Sequence, residues 1–396
     1  MSRLILCAFC ALVACAGQVD AGSIFSFNGQ GYPVRRLDPR STGMGGAGRA
    51  IVDGTNMSSF NPALLGAFQR PAMFGQYALQ RRNVDDRNTS RAIADGDLTG
   101  IKTVFPFRFR GAFTVGMEAL TDVDITLVDT VGTGGEEHLL GLKGTGGISA
   151  IVLGFGQKIG KRLFLGAHAD LVVVGTLTES WTKDLLEDLL DDSEPFFSKD
   201  TVTRSQRGVQ FTFGGVYTPG NMSIALVARP KATITQKVLV ENRLTTNAIT
   251  FDAVETERDI EFPATFGAGL AYARSERFLV AFDLEYAGWE STAPGRHNTL
   301  ETALGIQYQM LPDNARRIGR RYDLMAGVYR RTLYFATSTG EQIAEMGVSL
   351  GLGIPFERES GKFRWTLDVG VRGDTQVHSA SETYFKQTFS VAGWIQ

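Results

Sequence analysis

Four segments in the C-terminal half of the chain alternate between apolar residues and small or polar ones. In segment 345–356, apolar residues occupy every second position from Met346 to Phe356, and Glu, Gly, Ser or Pro occupy the positions between and before them. This period of two is that of a β-strand, whose successive side chains point to opposite faces. The pattern therefore predicts strands with one apolar, often aromatic face and one small or charged face. The segments are 278–289, 300–309, 345–356 and 364–374.

Fourteen strands are predicted after Pro71. Most connections between odd- and even-numbered strands are long (84–97, 127–144, 180–200 and 237–258), whereas those on the other side are short turns. This asymmetry is typical of outer-membrane barrels, although a soluble sandwich shares the alternation. We expect an all-β fold: a transmembrane antiparallel β-barrel of about 14 strands, spanning 71–396. The predicted strands are 71–83, 98–105, 110–126, 145–159, 162–179, 201–218, 221–236, 259–273, 277–290, 298–310, 321–336, 341–356, 361–375 and 382–395.

The first 21 residues have the form of an export signal. One Arg precedes an apolar run, and Val19-Asp20-Ala21 offers a cleavage site with small residues. All three cysteines lie within the first 15 residues. The run that ends at Cys15 also matches a lipoprotein box, so lipidation of Cys15 is an alternative to simple cleavage. Residues 1–21 are therefore predicted to be a signal peptide.

Residues 22–70 are predicted to form a hatch inside the barrel. Their central part is rich in Gly and Ala and then turns at Asn61-Pro62-Ala63. The glycines match a dinucleotide fingerprint, but no apolar strand precedes them and no long helix follows, which excludes a Rossmann site. Small residues instead allow close packing of the backbone against a wall. The hatch and gating candidates are Gly43, Gly45, Gly46, Gly48, Asn61, Pro62 and Ala63.

The Gly-rich lead-in, Asn61-Pro62-Ala63 and Phe68-Gln69-Arg70-Pro71 resemble the hatch of the FadL-type long-chain fatty acid transporters. Segments 278–289 and 345–355 look like late barrel strands of the same family. The final strand departs from the pattern because it ends in Gln396 rather than an aromatic residue. The resemblance implies passive transport of hydrophobic compounds, with lateral exit through a kinked strand. Members that serve as shuttles or scaffolds in protein secretion share the hatch and the fold, so the motifs leave that alternative open.

Composition narrows the function classes. The formal net charge of −2 gives no reason to expect nucleic acid as a partner. The four histidines show no metal-ligand spacing and no nucleophile elbow occurs, so we expect no metal, no cofactor and no enzyme. His168 and Asp170 share a strand face and form half of a hydrolase site at most.

The predicted alternation places charged residues on the inner face of the barrel, where they avoid lipid. The simplest interpretation is a lattice of ion pairs that supports the barrel and its hatch. The functional interpretation is that one inward arginine binds a ligand carboxylate through two hydrogen bonds. The candidates are Arg229, Arg331, Arg364 and Arg372.

Loop 180–200 is a second candidate for ligand contact. Its leucines recur on one face of a short helix, and two phenylalanines follow Pro195. An exposed apolar helix on an external loop indicates a landing surface for hydrophobic molecules. Packing of the leucines on the barrel rim explains the pattern equally well. The residues are Leu185, Leu186, Leu189, Leu190, Phe196 and Phe197.

We therefore expect a passive transporter of long-chain fatty acids or other hydrophobic compounds in the bacterial outer membrane. The alternative is a barrel that serves as scaffold or shuttle in protein secretion. Expected partners are hydrophobic small molecules, outer-membrane lipids and, during insertion, the barrel-assembly machinery, with the chain as a monomer. The substrate and the gating route do not follow from the residues alone.

Overall fold

The structure is a computed structural model that describes residues 23–27, 29–57, 59–86, 90–108, 110–133, 136–184, 197–244, 252–310, 322–336, 340–356, 360–378 and 380–394. Helix α1 is Pro39–Gly43, and 3₁₀ helices lie at Ile24–Ser26, Pro62–Ala67 and Trp289–Ser291. The strands are β1 (Tyr32–Pro33), β2 (Ala72–Asp86), β3 (Ser90–Phe107), β4 (Gly111–Asp122), β5 (Ile125–Thr133), β6 (Glu136–Ile159), β7 (Leu163–Val174), β8 (Thr176–Asp184), β9 (Phe197–Tyr217), β10 (Met222–Arg229), β11 (Ala232–Leu244), β12 (Val254–Phe262), β13 (Thr265–Ala273), β14 (Phe278–Ala287), β15 (Thr299–Met310), β16 (Tyr322–Ala336), β17 (Gln342–Phe356), β18 (Gly361–Asp374) and β19 (Ala380–Trp394).

Strands β2 to β19 form one closed antiparallel barrel. The last strand pairs with the first along its whole length, from Trp394 opposite Ala72 to Ala380 opposite Asp86. Four traverses of the wall are each made of two consecutive strands: β4–β5, β7–β8, β10–β11 and β12–β13. Within the described residues the 18 strands β2–β19 therefore make 14 traverses. This confirms the predicted fold class and strand number.

The two faces of the wall differ as the alternation predicts. On β15, Leu304, Ile306 and Tyr308 point outward and remain between 42% and 46% exposed. On β18, the inward Asp368 and Arg372 are buried. An apolar exterior and a charged interior define a transmembrane barrel. The interior contains an apolar cluster in which Met44, Ile51, Phe60 and Leu64 of the N-terminal segment pack against alanines and larger apolar residues of the barrel wall.

One side of the barrel bends at a single level. The breaks fall at residues 123–124, Gly175, Pro230 and Pro263, and β6 bends at Gly146. Prolines donate no ladder hydrogen bond, so they interrupt a strand. Gly146 and Gly175 both have φ of +95°, a conformation that L side chains rarely adopt. Beyond this level, β5, the upper part of β6, β8, the upper part of β9, β11 and β12 continue as a separate ladder.

The bend leaves a gap in the wall between β3 and the β4–β5 traverse. The β3–β4 ladder runs from Phe107–Gly111 to Gly100–Glu118. Above that pair, β3 continues to pair with β2, and β5 pairs with β6. In the described part of the chain no ladder joins β3 to β5. The lateral exit through a kinked strand that the family resemblance implies stays a prediction.

Replacing Gly146 by Ala should destabilise the barrel. The new Cβ would sit 2.1 Å from the Thr176 carbonyl oxygen and would hold a left-handed φ, at a cost of about 1–3 kcal/mol. We expect the folded band on unheated SDS gels to be lost at a lower temperature. Gly160→Ala is the matched control, because Gly160 also has positive φ (+61°) but nothing within 4 Å of the added atom. Equal melting of both variants would contradict this account.

Candidate functional site

The Asn-Pro-Ala motif forms a capped turn against the barrel wall. The Asn61 side chain accepts a hydrogen bond from the Ala63 amide (3.1 Å) and caps the 3₁₀ helix that begins at Pro62. Its amide group donates to the Arg49 carbonyl oxygen (2.7 Å), which joins two parts of the N-terminal segment. Pro62 lies on the backbone of Gly166 in β7, where an added Cβ would come within 2.5 Å of the proline carbonyl group. The motif therefore fits one place on the wall.

The Gly-rich stretch before this motif is equally close to the wall. The predicted hatch glycines are all buried: Gly43, Gly45, Gly46 and Gly48. The amides of Gly48 and Arg49 both donate to Asp283 Oδ2 of β14 (2.9 Å each). Opposite, a Cβ on Gly327 of β16 would overlap the Met44 carbonyl group. The absence of side chains on both partners permits this approach. A gating movement of these residues stays a prediction.

Arginines of the N-terminal segment pair with carboxylates of the barrel wall. Arg36 makes two hydrogen bonds to Asp170 (2.6 and 2.7 Å) and one to Glu118 (2.8 Å). Burial disfavours the charged form of Arg36, but the two carboxylates outweigh that cost and raise its pKa above the usual range. The inner-face charges thus include the ion-pair lattice that the sequence favours. The segment–barrel pairs are Arg35–Glu301, Arg36–Glu118, Arg36–Asp170, Arg49–Asp283 and Arg49–Glu285.

Two of the four candidate arginines belong to this lattice. Arg331 and Arg372 lie 3.1 Å and 2.8 Å from the Glu345 carboxylate, and Arg372 also contacts Glu382 at 2.6 Å. Tyr32 of β1 completes the group, since its hydroxyl bonds to Glu345 and its ring lies 4.0 Å from the Arg372 guanidinium carbon. Both guanidinium groups are therefore already neutralised by carboxylates.

Arg364 lies below the N-terminal segment and is 1% exposed. It donates to the Thr55 hydroxyl (3.3 Å) and forms no ion pair with the described residues. Burial and the nearby Arg364 charge lower the pKa of Arg40, a residue of α1, to about 10, so Arg40 stays cationic at neutral pH. Arg364 is thus buried in a basic environment and does not line the cavity that Arg229 faces.

Arg229 differs from the other candidates because it faces an upper cavity of about 210 Å³. Its Nε donates to the Thr212 hydroxyl (3.1 Å), and no carboxylate of the described residues is within ion-pair distance. Of the four candidates, Arg229 alone combines an available guanidinium with a cavity wall. The apolar part of that wall comes from Leu37, Phe60, Phe262, Trp289 and Tyr334.

A second cavity of about 230 Å³ lies beside the wall gap, and we call it the gap cavity. Its outer lining is polar, with Asp95, Asp97 and Lys386 beside Leu98. The upper cavity and the gap cavity share lining residues, which are Pro33, Val34, Arg35, Thr121 and Arg331. A short stretch of the N-terminal segment therefore separates the lumen from the opening in the wall.

Strand β1 holds this separating stretch in place. Tyr32 pairs with Asp122 and Pro33 with Thr121, on the edge of β4 that β3 leaves free. The Val34 amide continues the ladder by donating to the Leu120 carbonyl oxygen (2.9 Å). Residues 22–40 show no hydrophobic period, so their sequence does not mark Tyr32 and Pro33 as candidates. The only signal was a pair of arginines directly after Tyr32-Pro33-Val34.

The remaining sequence candidates have plainer environments. Leu185, Leu186, Leu189, Leu190 and Phe196, together with the side chain of Phe197 and with Cys15, lie outside the described residues, so their roles stay predictions.

Asp170 pairs with Arg36, and His168 donates to no serine in the described part of the chain. Asp95, Asp97 and Asp122 bring three carboxylate oxygens within 4.8 Å of one another at the gap, but Asp95 is paired with Arg82. Neither group builds a recognisable catalytic site.

Comparison with known proteins decides the family. A profile of the BamG family matches residues 1–392. The chain belongs to the BamG family. No curated protein sequence matches it.

Solved structures similar to this BamG-family chain are FadL-type barrels. A Pseudomonas aeruginosa FadL homologue has a TM-score of 0.63 at 12% identity, covering 91% of this chain and 98% of that one. The CymD monoaromatic hydrocarbon channel has a TM-score of 0.60 at 16% identity, with coverages of 92% and 99%. The Pseudomonas putida toluene transporter TodX has a TM-score of 0.56 at 13% identity, also with coverages of 92% and 99%. At such identities the similarity concerns the fold, and it confirms the FadL-type resemblance.

The BamG-family chain is an outer-membrane β-barrel with many membrane-spanning strands. None of its described helices has the length and apolar character needed to cross a bilayer.

Replacing Arg36 by Met should strongly destabilise the protein, because Asp170 and Glu118 would lose their shared buried partner. We expect a loss of about 3–5 kcal/mol in the free energy of unfolding. Denaturant unfolding in detergent measures it. Lys237→Met is the control, since the Lys237–Glu255 pair is more than half exposed and should contribute less than about 1 kcal/mol. Similar losses in both variants would show that the buried pairs are not what holds the segment.

Proposed function

We propose that this protein conducts hydrophobic molecules with an acidic head group, such as long-chain fatty acids, from the outside into the plane of the outer membrane. The observation that carries the proposal is the arrangement of two cavities on either side of residues 33–35, with a gap in the barrel wall beyond the second. Support for the class of substrate comes from structural neighbours described as a toluene transporter and a monoaromatic hydrocarbon channel.

The upper cavity suits an amphipathic ligand. Its apolar side chains would cover a hydrocarbon, and Arg229 would bind a carboxylate. The stacked rings of Trp289 and Tyr334, with centroids 4.3 Å apart, form a rigid part of the wall. Loop 180–200 would deliver the ligand if its leucines form the predicted landing surface.

Strand β1 is the proposed gate. If Tyr32 and Pro33 separate from the edge of β4, the upper cavity and the gap cavity become continuous and the ligand can leave sideways through the wall. Two backbone pairs and the Val34 hydrogen bond hold β1 to β4, and these are easier to break than the buried ion pairs of Arg36 and Arg49. The Tyr32 side chain is held separately by Glu345 and Arg372 and would keep those contacts. Gating at β1 therefore leaves the rest of the N-terminal segment in place, and Pro62 need not act as a hinge.

Mass spectrometry of the gently solubilised protein tests the proposal directly. We expect a co-purified acyl ligand that is lost from a variant in which Leu185, Leu186, Leu189 and Leu190 are replaced by Ser. Capture by the loop is refuted if the unmodified protein carries no acyl ligand or if the variant retains as much ligand as the unmodified protein.

The Arg229→Gln variant should weaken binding of a fatty acid about tenfold and leave the methyl ester of the same fatty acid unaffected. The dissociation constants of the acid and the ester for the purified protein in detergent measure this. The control is Arg364→Gln, which removes a lumen arginine outside the cavity. Equal effects on acid and ester would rule out carboxylate recognition by Arg229.

A disulfide between Pro33→Cys and Thr121→Cys should stop transport. Opposite residues of an antiparallel pair are at a distance that a disulfide spans. Uptake of labelled fatty acid by cells that lack another transporter should fall under oxidation and return with reductant. Ser223→Cys with Ala271→Cys places the same link within the wall and should not affect uptake. Unimpaired uptake with β1 locked would overturn the gate.

The scaffold or shuttle of a protein-secretion system is the second candidate. The buried pairs of Arg35, Arg36 and Arg49 favour it, because they fasten the N-terminal segment to opposite parts of the wall. A barrel that neither co-purifies with hydrophobic compounds nor takes them up would support this candidate.

A further inference from the structure

The outer surface of the barrel has an apolar depression over β7, separate from the lumen and the wall gap. It is lined by phenylalanines and by two alanines of β7, Ala167 and Ala169. The ladder register explains its shape. In one cross-strand row Ala167 stands between Phe155 of β6 and Phe213 of β9. In the next, Ala169 stands between Leu153 and Phe211.

The depression has the width of one hydrocarbon chain. Strands β6 and β9 flank β7, so the bulky side chains on either side stand about 10 Å apart between backbones, and their own radii narrow the slot further. Phe105 and Phe113 extend the apolar surface toward β3 and β4. Phe113 and Phe155 are in ring contact (5.3 Å between centroids), which makes one side of the slot rigid. The alanine floor thus leaves room that neighbouring rows do not.

A basic group lies beyond this slot, past the exposed Leu165 of β7. Arg108 and Arg110 are exposed in the turn between β3 and β4, and Lys161 and Arg162 are exposed in the turn between β6 and β7. None forms an ion pair with another described residue, and segments 105–115, 155–165 and 215–222 contain no Asp or Glu. These turns lie at the barrel end that carries Ala72 and Trp394, which is the periplasmic end for an even-stranded barrel with short turns there.

From these two features we infer a binding site for an anionic phospholipid of the periplasmic leaflet. Its phosphate contacts Arg108, Lys161 and Arg162, and one acyl chain lies over Ala167 and Ala169. The charge complementarity selects the lipid, because each cation near a membrane surface favours an anionic head group. The slot adds a place where the chain is held between aromatic rings rather than among mobile lipids. This site faces away from the lumen and does not depend on transport.

Native mass spectrometry of the full chain in detergent tests the site. Phosphatidylglycerol and phosphatidylcholine with identical palmitoyl and oleoyl chains are added separately, and the retained adduct is counted. We expect phosphatidylglycerol to be retained about tenfold more than phosphatidylcholine. Ala167→Leu with Ala169→Leu should remove the adduct. Arg108→Gln with Lys161→Gln and Arg162→Gln should remove the preference between the lipids.

Ala268→Leu is the matched control. Ala268 is also an outer-face alanine, between Leu226 and Leu284, but its nearest turn contains Glu276 besides two arginines. Heat-dependent gel mobility confirms that each variant is folded before the lipid is counted. Equal retention of the two lipids by the unmodified chain would overturn the inference. So would equal loss in the Ala268 and Ala167/Ala169 variants, or a lipid-free dimer that uses this face.

Discussion

The structure depends on neutralising the charges that point into the barrel. Alternation points every second residue of a strand inward. The outer face must be apolar, so the charged residues of the strands lie on the inner face. A buried carboxylate without a partner is costly. Arg35, Arg36 and Arg49 of the N-terminal segment supply guanidinium groups to Glu301, Asp170 and Glu285 on three different strands. The segment is therefore part of the interior's charge balance, and the barrel without it would leave these acids unpaired.

The same segment also lies along the side of the barrel where, among the described residues, no ladder joins β3 to β5. Glycine and proline breaks interrupt one group of strands at a common level, and no described ladder joins β3 to β5. Strand β1 occupies part of the free edge of β4. Buried ion pairs of Arg36 and Arg49 hold one part of the segment. Two backbone pairs and the Val34 hydrogen bond hold β1 to β4, and the Tyr32 side chain holds it to Glu345. In the proposed function, only the contacts between β1 and β4 need to break.

The exterior is less uniform than an apolar alternation requires. Most outward positions hold bulky aliphatic or aromatic residues, yet β7 has Ala167 and Ala169 between two rows of large side chains. The turns below it are basic and free of acids. Both the lumen and the outer surface therefore have an apolar depression with arginine nearby. In the lumen the arginine is Arg229, enclosed within the barrel, and on the outside Arg108 and Arg162 lie at the level of lipid head groups.

The period of two and the turn residues by themselves determined the number of wall traverses and which face is apolar, because these depend on neighbours close along the chain. They did not determine the strand ends, since residues 84–97 and 127–144, predicted as loops, lie largely in β2, β3, β5 and β6. The position of the bend was not predicted, although its glycines and prolines are visible. Only the tertiary structure shows where Tyr32–Arg36 lie and which of the four arginines have a carboxylate partner. Arg36 meets Asp170 across 134 residues and Arg35 meets Glu301 across 266. Whether an inward arginine is neutralised or free depends on such partners, which are far apart in sequence and cannot be predicted from a local pattern.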